Sequence, residues 1–185
     1  GAGVTLTLEP YQSVVVAFGH SGEAAAPALP EGSALTLTGP WQVSFKAALD
    51  QAAGYRNPIT VDALTDMTKY EPKFSGWIRY ETHFTAPAAA QAVLRFANAF
   101  ESVEVTVNGR SAGIAICPPY QFDLSGLLTE GENTLVVEVA TTLERAVANL
   151  PVDPSNPRAA LMSLMGGGGV GYPFGLLGEA TLWLK

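Results

Sequence analysis

Apolar and polar residues alternate along several short stretches of this chain, and this period of two restricts the fold more than any other feature. In 103–107, valine occupies every second position and glutamate and threonine lie between. Successive side chains of a β-strand point to opposite faces, so such a stretch predicts a strand with one buried face. The same pattern occurs in 41–49, 78–84, 135–139 and 182–184.

The sequence of strands and turns predicts an all-β fold, specifically an antiparallel β-sandwich. Asn108-Gly109 predicts a two-residue hairpin, because both residues tolerate the positive φ of a type I′ turn. Gly131-Glu132-Asn133 is interpreted as a second turn, before a strand over 134–139, and one short helix is expected over 159–165. Seven residues are expected in the core between the sheets: Trp41, Phe45, Tyr80, Phe84, Phe96, Val105 and Val137.

The chain divides into three regions by composition. Residues 1–19 are interpreted as two short strands around Glu9-Pro10 that belong to a preceding module or are left from one. Residues 20–33 are rich in alanine, proline and glycine, which is typical of a linker. Residues 34–185 are predicted to form the sandwich.

Charge and composition exclude several classes of function. The net charge is -7 and the chain has no basic run, so nucleic acid, which requires clustered Lys and Arg, is not expected as a partner. No apolar stretch is as long as a membrane-spanning helix, so no membrane partner is expected. One cysteine and two histidines are too few for a closed zinc site, and no metal or cofactor is assigned. Cys117, at the end of an apolar strand, is interpreted as a buried structural thiol.

The catalytic motifs that the sequence offers are weak. Three glycines in 166–171 have the spacing of a dinucleotide-binding loop, but Pro173 stands where the following helix would be needed. A sandwich loop is therefore the better interpretation. A glycosidase requires two carboxylates that flank the bond it cleaves, and Glu101 and Glu104 lie three positions apart, on opposite faces of a strand. No catalytic residue is assigned.

Aromatic residues supply the candidates for a binding site. Trp77 and Arg79 fall on the polar face of one strand, whereas Tyr70, Tyr120 and Tyr172 are predicted in loops beside proline or glycine. Sugars stack their C–H faces on such rings while polar neighbours bind the hydroxyls. Trp77, Arg79, Tyr120 and Tyr172 are the candidate carbohydrate-binding residues. The alternative is that the rings close the ends of the core.

Five segments of the chain form an ordered pattern. They are GPWQVSF at 39–45, KFSGWIRYETHF at 73–84, VEVTVNG at 103–109, PPYQFDLSGLLTEGENTLVVEV at 118–139 and PFGLLGEATL at 173–182. In this order they resemble the sugar-binding-like jelly-roll domain, a galactose-binding-like fold, of large bacterial glycoside hydrolases. Family 2 and the family 106 α-L-rhamnosidase-like proteins are the most similar groups.

The resemblance implies a non-catalytic domain, because the catalytic carboxylates of these enzymes lie in another domain. LEPYQSVVVAF at 8–18 is similar to the segment that precedes a C-terminal jelly roll, so the chain is expected to be the C-terminal end of a larger protein. One segment departs from the pattern. Where the rhamnosidase-like proteins have Asn-x-Trp/Leu-x-Asn-Arg, this chain has Thr141 and Glu144 in place of the asparagines, and only Arg145 matches.

Two functions remain open from the sequence. The first is an accessory domain of a glycoside hydrolase, with the catalytic domain of the same polypeptide as its partner and carbohydrate as a second contact. The second is an autonomous carbohydrate-binding module of weak affinity. An independent enzyme is the least favoured. An exposed row of aromatic residues would favour the module, and a broad apolar patch would favour the accessory domain.

Overall fold

The fold is a sandwich of two antiparallel sheets, seen in a computed structural model that describes residues 5–8, 13–14, 16, 18–19, 29–56, 58–149 and 171–185. Strand accounts for 46% and helix for 7% of this structure. The prediction of an all-β antiparallel sandwich is confirmed. No helix within the described ranges is long and apolar enough to cross a membrane.

The strands, numbered in chain order, form sheets of four and six strands. The four-stranded sheet contains, in spatial order, β1 (Ser33–Thr36), β10 (Leu177–Leu184), β5 (Ala92–Asn98) and β8 (Tyr120–Asp123). The six-stranded sheet contains β3 (Ile59–Val61), β2 (Trp41–Ala47), β4 (Gly76–Ala86), β9 (Gly131–Ala140), β6 (Ser102–Val107) and β7 (Arg110–Ala115). Short 3₁₀ turns at Gln51–Ala53 and Met67–Lys69 and one helix, α1 (Glu144–Ala148), lie in the connections.

The core lies between the sheets, where the alternating apolar residues point. On β6, Val103, Val105 and Val107 are buried while Glu104 is exposed. Six of the seven predicted core residues are buried, namely Trp41, Phe45, Tyr80, Phe96, Val105 and Val137. Phe84 is only half-buried and packs against this core. The period of two therefore identified the buried faces correctly, except that Phe84, near the end of β4, is less buried than predicted.

The predicted hairpin at Asn108-Gly109 is confirmed. Both residues have positive φ, 51° and 76°, and Val107 pairs with Arg110 across the turn. The predicted turn at 131–133 is wrong, because β9 already begins at Gly131. Its first residues pair with the end of β4, which adds ladder hydrogen bonds that outweigh the local turn preference.

Two further expectations fail at strand ends. The alternation of apolar residues through Leu49 predicts a strand that is too long, because β2 ends at Ala47. There the Asp50 N–H donates to the Ala47 carbonyl and the chain turns. Leu49 is exposed as a result. Cys117 is also exposed rather than buried, because it lies beyond β7 in the connection between the two sheets.

Several expectations concern residues at the edges of what the structure describes. Residues 5–8 form no strand, so the first predicted N-terminal strand is not formed there. The helix expected over 159–165 and most of the glycine-rich segment lie outside the described residues. The division of the chain at 19 and 33 remains a prediction.

Candidate functional site

The outer face of the six-stranded sheet carries the polar residues of the candidate site. On β4, Ile78 and Tyr80 point into the core, so Trp77 and Arg79 point outward. Strand register places Arg79 between Ser44 of β2 and Glu138 of β9. Trp77 and Arg79 therefore share one face, as the sequence predicts.

Trp77 is half-buried on this face. The Lys46 ammonium lies 5.5 Å from the centre of its ring, a distance at which a cation is attracted to the aromatic face. Lys46 pairs with Trp77 across β2 and β4, so this contact follows from the register. A ligand that stacked on this face of Trp77 would have to displace the lysine.

Arg79 lies in a surface cleft that a tyrosine partly covers. Its guanidinium is 3.5 Å from the Glu81 carboxylate and 6.0 Å from the centre of the Tyr55 ring. The Tyr55 hydroxyl donates to the Glu138 carboxylate. Partial burial, and then this carboxylate, raise the pKa of Tyr55 well above its usual value, so the hydroxyl stays protonated. The cleft has a volume of about 410 Å³ and is lined by Gln42, Ser44, Tyr55, Arg56, Pro58, Arg79 and Glu81.

Tyr120 is not available for stacking. It begins β8, is 3% exposed and pairs with Phe96 of the neighbouring strand. Pro118 and Pro119 carry the chain from β7 in one sheet to β8 in the other, and Tyr120 is the first residue whose side chain enters the core there. Burial raises the pKa of its hydroxyl. The prediction of Tyr120 as an exposed loop residue is wrong.

Tyr172 closes one end of the sandwich. Its hydroxyl donates to the Glu144 carboxylate of α1. The guanidinium of buried Arg145 lies 5.0 Å from the Tyr172 ring and 4.6 Å from the Phe174 ring, and it donates to the Tyr172 carbonyl. Tyr172 does not line the cleft at Arg79. The structure thus brings Trp77 and Arg79 onto one face, and it leaves Tyr120 and Tyr172 elsewhere.

The sequence interpretation missed two residues of the cleft, Tyr55 and Arg56. Both lie in the connection between β2 and β3, where no period of two identifies an outward face. The backbone N–H of Arg56 donates to the Phe45 carbonyl at 3.0 Å and holds this connection against the sheet. Only the pairing of an aromatic and a basic residue after Gly54 could have indicated a site.

The structure also brings together two carboxylates. Glu104 of β6 and Glu138 of β9 are direct partners across the two strands. Because they lie on different strands, spacing along the chain could not select them. Neither lines the cleft at Arg79, and Glu138 is already bound by Tyr55. Within the described ranges, no group of three or more His, Cys, Asp or Glu side chains could hold a metal ion.

Comparison with known proteins yields matches among solved structures alone. The chain matches no protein-family model and no curated protein sequence.

Solved structures of glycoside hydrolases are among those that resemble this fold, and three of them illustrate the likeness. A rhamnosidase from Novosphingobium sp. PP1Y is 23% identical with a TM-score of 0.62, over 86% of this chain and 16% of that one. A β-glucuronidase from Ruminococcus gnavus in complex with uronic isofagomine is 20% identical with a TM-score of 0.58, over 85% of this chain and 30% of that one. Another β-glucuronidase structure from this organism is 22% identical with a TM-score of 0.51, over 62% of this chain and 22% of that one. At these identities the likeness shows a shared fold, and the chain spans less than a third of each structure.

Proposed function

We propose that this chain is a non-catalytic accessory domain of a larger glycoside hydrolase. The observation that carries the proposal is coverage: 86% of this chain superposes on 16% of a rhamnosidase, and 85% on 30% of a β-glucuronidase. The fold therefore corresponds to one part of each enzyme. The ordered segments of the sequence pattern point to the same class of domain.

The partner that we propose is the catalytic domain of the same polypeptide. A second cleft, of about 360 Å³, is lined by apolar side chains that include Leu49, Phe74 and Ala146 and by charged side chains that include Arg56 and Glu71. Leu49 is 65% exposed, and Leu143 and Val147 beside Ala146 are exposed as well. Exposed apolar side chains around a cleft are typical of a surface that packs against another domain.

Carbohydrate is the second contact that we propose. The cleft at Arg79 combines an aromatic ring, a guanidinium, a carboxylate and the Gln42 amide, the set of groups with which proteins bind sugar hydroxyls and C–H faces. The alternative is an autonomous carbohydrate-binding module. The exposed rings of Tyr55 and Tyr70 favour this alternative.

The test uses the chain alone and the complete protein that carries it. We expect the isolated chain to show no hydrolysis of a panel of aryl glycosides, and the complete protein to hydrolyse at least one of them. Deletion of 34–185 from the complete protein is expected to lower its activity or its melting temperature. An autonomous module would instead leave both unchanged while weakening adsorption to polysaccharide.

The Glu104–Glu138 pair provides the control for an enzymatic activity of the chain itself. Hydrolysis by the isolated chain that survives purification and disappears in Glu138→Gln, but not in Glu132→Gln, would refute the non-catalytic proposal. Glu132 is a suitable control because it lies on the same strand, opposite Thr85 rather than another carboxylate.

A further inference from the structure

Two neighbouring surface clefts share Tyr55 and Arg56 in their walls. The first is the cleft at Arg79, of about 410 Å³. The second, of about 560 Å³, is lined by Phe45, Tyr55, Arg56, Ile59, Tyr70 and Glu71. Tyr55 and Arg56 line both, so the two clefts are adjacent at these side chains. Each volume lies in the range of about 300–1,000 Å³ that is typical of ligand pockets. We call the combined feature the tyrosine groove.

Two exposed rings border the groove, and a hydrogen bond holds the hydroxyl of one of them. Tyr55 is 36% exposed and is held through its hydroxyl by Glu138. Tyr70 is 48% exposed, and its backbone N–H donates to the carbonyl of fully buried Met67 at 3.1 Å. The Tyr55 ring is already positioned by its hydroxyl, so it loses little conformational entropy when a ligand stacks on it.

An ion pair lines the same cleft as the two rings. The Arg56 guanidinium contacts the Glu71 carboxylate at 2.8 Å, and the two side chains are 50% and 33% exposed. The same guanidinium lies 5.6 Å from the ring centre of Phe45 and 6.0 Å from that of Phe74. The core aromatics therefore fix a donor and an acceptor side by side, within reach of solvent. Such a pair can bind neighbouring hydroxyls of one sugar.

The charges of the groove cancel. Its residues include two arginines and two glutamates, and each arginine is paired, Arg56 with Glu71 and Arg79 with Glu81. Recognition of a carboxylate or phosphate requires donors that are free to form charge-assisted hydrogen bonds. An anionic sugar would have to break one of these pairs and would meet the remaining glutamate. The balance of charge favours an uncharged ligand.

From these observations we infer that the tyrosine groove binds uncharged oligosaccharides, with pyranose rings stacked on Tyr55 and Tyr70 and hydroxyls bound by Arg56 and Glu71. The inference rests on the proposed contact with carbohydrate and names its place and the class of sugar. It moves the site from the predicted Trp77 to the adjoining connection between β2 and β3.

The experiment is an NMR titration of the purified, ¹⁵N-labelled chain. The neutral probes are cellotetraose, β-1,4-galactotetraose and methyl α-L-rhamnoside, and tetragalacturonic acid is the charged comparator at the same concentration and ionic strength. We expect at least one neutral probe to shift the backbone amides of Tyr55, Arg56 and Tyr70, with a Kd on the order of millimolar, as befits a shallow site. The charged probe is expected to leave these amides unchanged.

Substitutions test the assignment of the two rings. Tyr55→Ala and Tyr70→Ala are expected to weaken binding about tenfold or more, a change equivalent to about 1.4 kcal/mol. Tyr55→Phe keeps the ring and is expected to bind within about threefold of the wild type. Phe100→Ala is the matched control, since it removes an exposed aromatic ring that lines neither cleft of the groove, and it is expected to bind like the wild type. The ¹⁵N spectrum of each variant checks that it is folded.

Three results would overturn the inference. One is the absence of binding by all neutral probes. Another is preferential binding of tetragalacturonic acid. The third is binding that survives both tyrosine substitutions but is lost in Trp77→Ala, which would place the sugar on the outer face of β4. None of these results would affect the accessory-domain proposal, which depends on the behaviour of the complete protein.

Discussion

The side-chain amide of Asn108 donates to the side-chain oxygen of Asn133 at 2.8 Å. The oxygen of Asn108 in turn accepts the backbone N–H of Thr134 at 3.0 Å. The tip of the β6–β7 hairpin is therefore bonded to the start of β9. Asn133 is 1% exposed and also donates to the carbonyls of Thr129 and Gly131. One buried amide thus organises the connection that leads into β9.

Replacement of this amide tests its contribution. Asn133→Ala removes the hydrogen-bond partner of three partly buried backbone groups, the Thr129 N–H and the Thr129 and Gly131 carbonyls, and each such hydrogen bond contributes about 0.5–1.5 kcal/mol. We expect the free energy of unfolding to fall by at least about 2 kcal/mol, measured by urea denaturation. Asn149→Ala is the control, because Asn149 is exposed and its amide donates only to Arg145 among described residues. Equal losses in the two variants would show that Asn133 has no special role.

The hairpin itself can be tested at Gly109. Its φ is 76°, and a Cβ added there would meet no atom within 4 Å. The cost of Gly109→Val is therefore purely conformational, and we expect a loss of about 1–3 kcal/mol of stability. Gly109→Asn should lose much less, because asparagine tolerates the left-handed region. A valine variant as stable as the asparagine variant in thermal unfolding would contradict a strained φ.

The two turns show which signals the sequence carries and which it does not. Asn108-Gly109 was predictable because a type I′ turn depends on the two residues in it. The segment at 131–133 also has turn-forming residues, but Glu132 and Asn133 pair with Thr85 and Phe84, almost fifty positions earlier in the chain. Such long-range pairing overrides local preference and cannot be read from spacing.

Only part of the candidate site could be predicted from the sequence. Trp77 and Arg79 were placed on one outward face because β4 alternates regularly. Tyr120 was misplaced because the sequence does not show that the chain enters the second sheet at that residue. Tyr55 was missed because its connection has no period, and its contact with Glu138 spans 83 positions.

Asp66 should make the stability of the fold depend on pH. Burial opposes ionisation, but hydrogen bonds from the Thr68 side chain and backbone and from the Phe174 N–H outweigh it and lower the pKa of Asp66. A carboxyl whose pKa is lower in the folded state stabilises the fold above its unfolded pKa of about 3.9. This contribution is lost as pH falls through the folded pKa.

Asp66 caps the 3₁₀ turn Met67–Lys69 by accepting the Thr68 N–H. We therefore expect Asp66→Ala to cost about 1–2 kcal/mol at neutral pH, like the loss of other capping residues. Urea denaturation at intervals between pH 7 and pH 2.5 should show the difference from the wild type shrinking on the acidic side. Asp62→Ala, at an exposed position, is the control. A difference that stays constant down to pH 2.5 would mean that the carboxylate does not act through its ionisation.

Cys117 offers a test of the connection between β7 and β8. Its thiol is exposed, so a disulfide-exchange reagent should modify the native protein at a rate similar to that of the urea-unfolded protein. Cys117→Ser should change the free energy of unfolding by less than about 0.5 kcal/mol, as is usual for surface substitutions. Modification that requires prior unfolding would instead support the buried thiol that the sequence suggested.

The final prediction concerns the two glutamates that face each other on β6 and β9. Two like charges that lie directly opposite each other on antiparallel strands destabilise the strand pair. Cross-strand side-chain pairs of this kind change the free energy of unfolding by about 0.2–1 kcal/mol. Glu104→Gln removes this repulsion and leaves the bond from Tyr55 to Glu138 in place. We expect the variant to be more stable than the wild type by about that amount in urea denaturation at low salt. The gain should shrink as added salt screens the charges of exposed Glu104 and half-buried Glu138. Glu132→Gln, which faces Thr85, should show no gain, and an equal gain in both variants would indicate a general effect of net charge rather than of this pair.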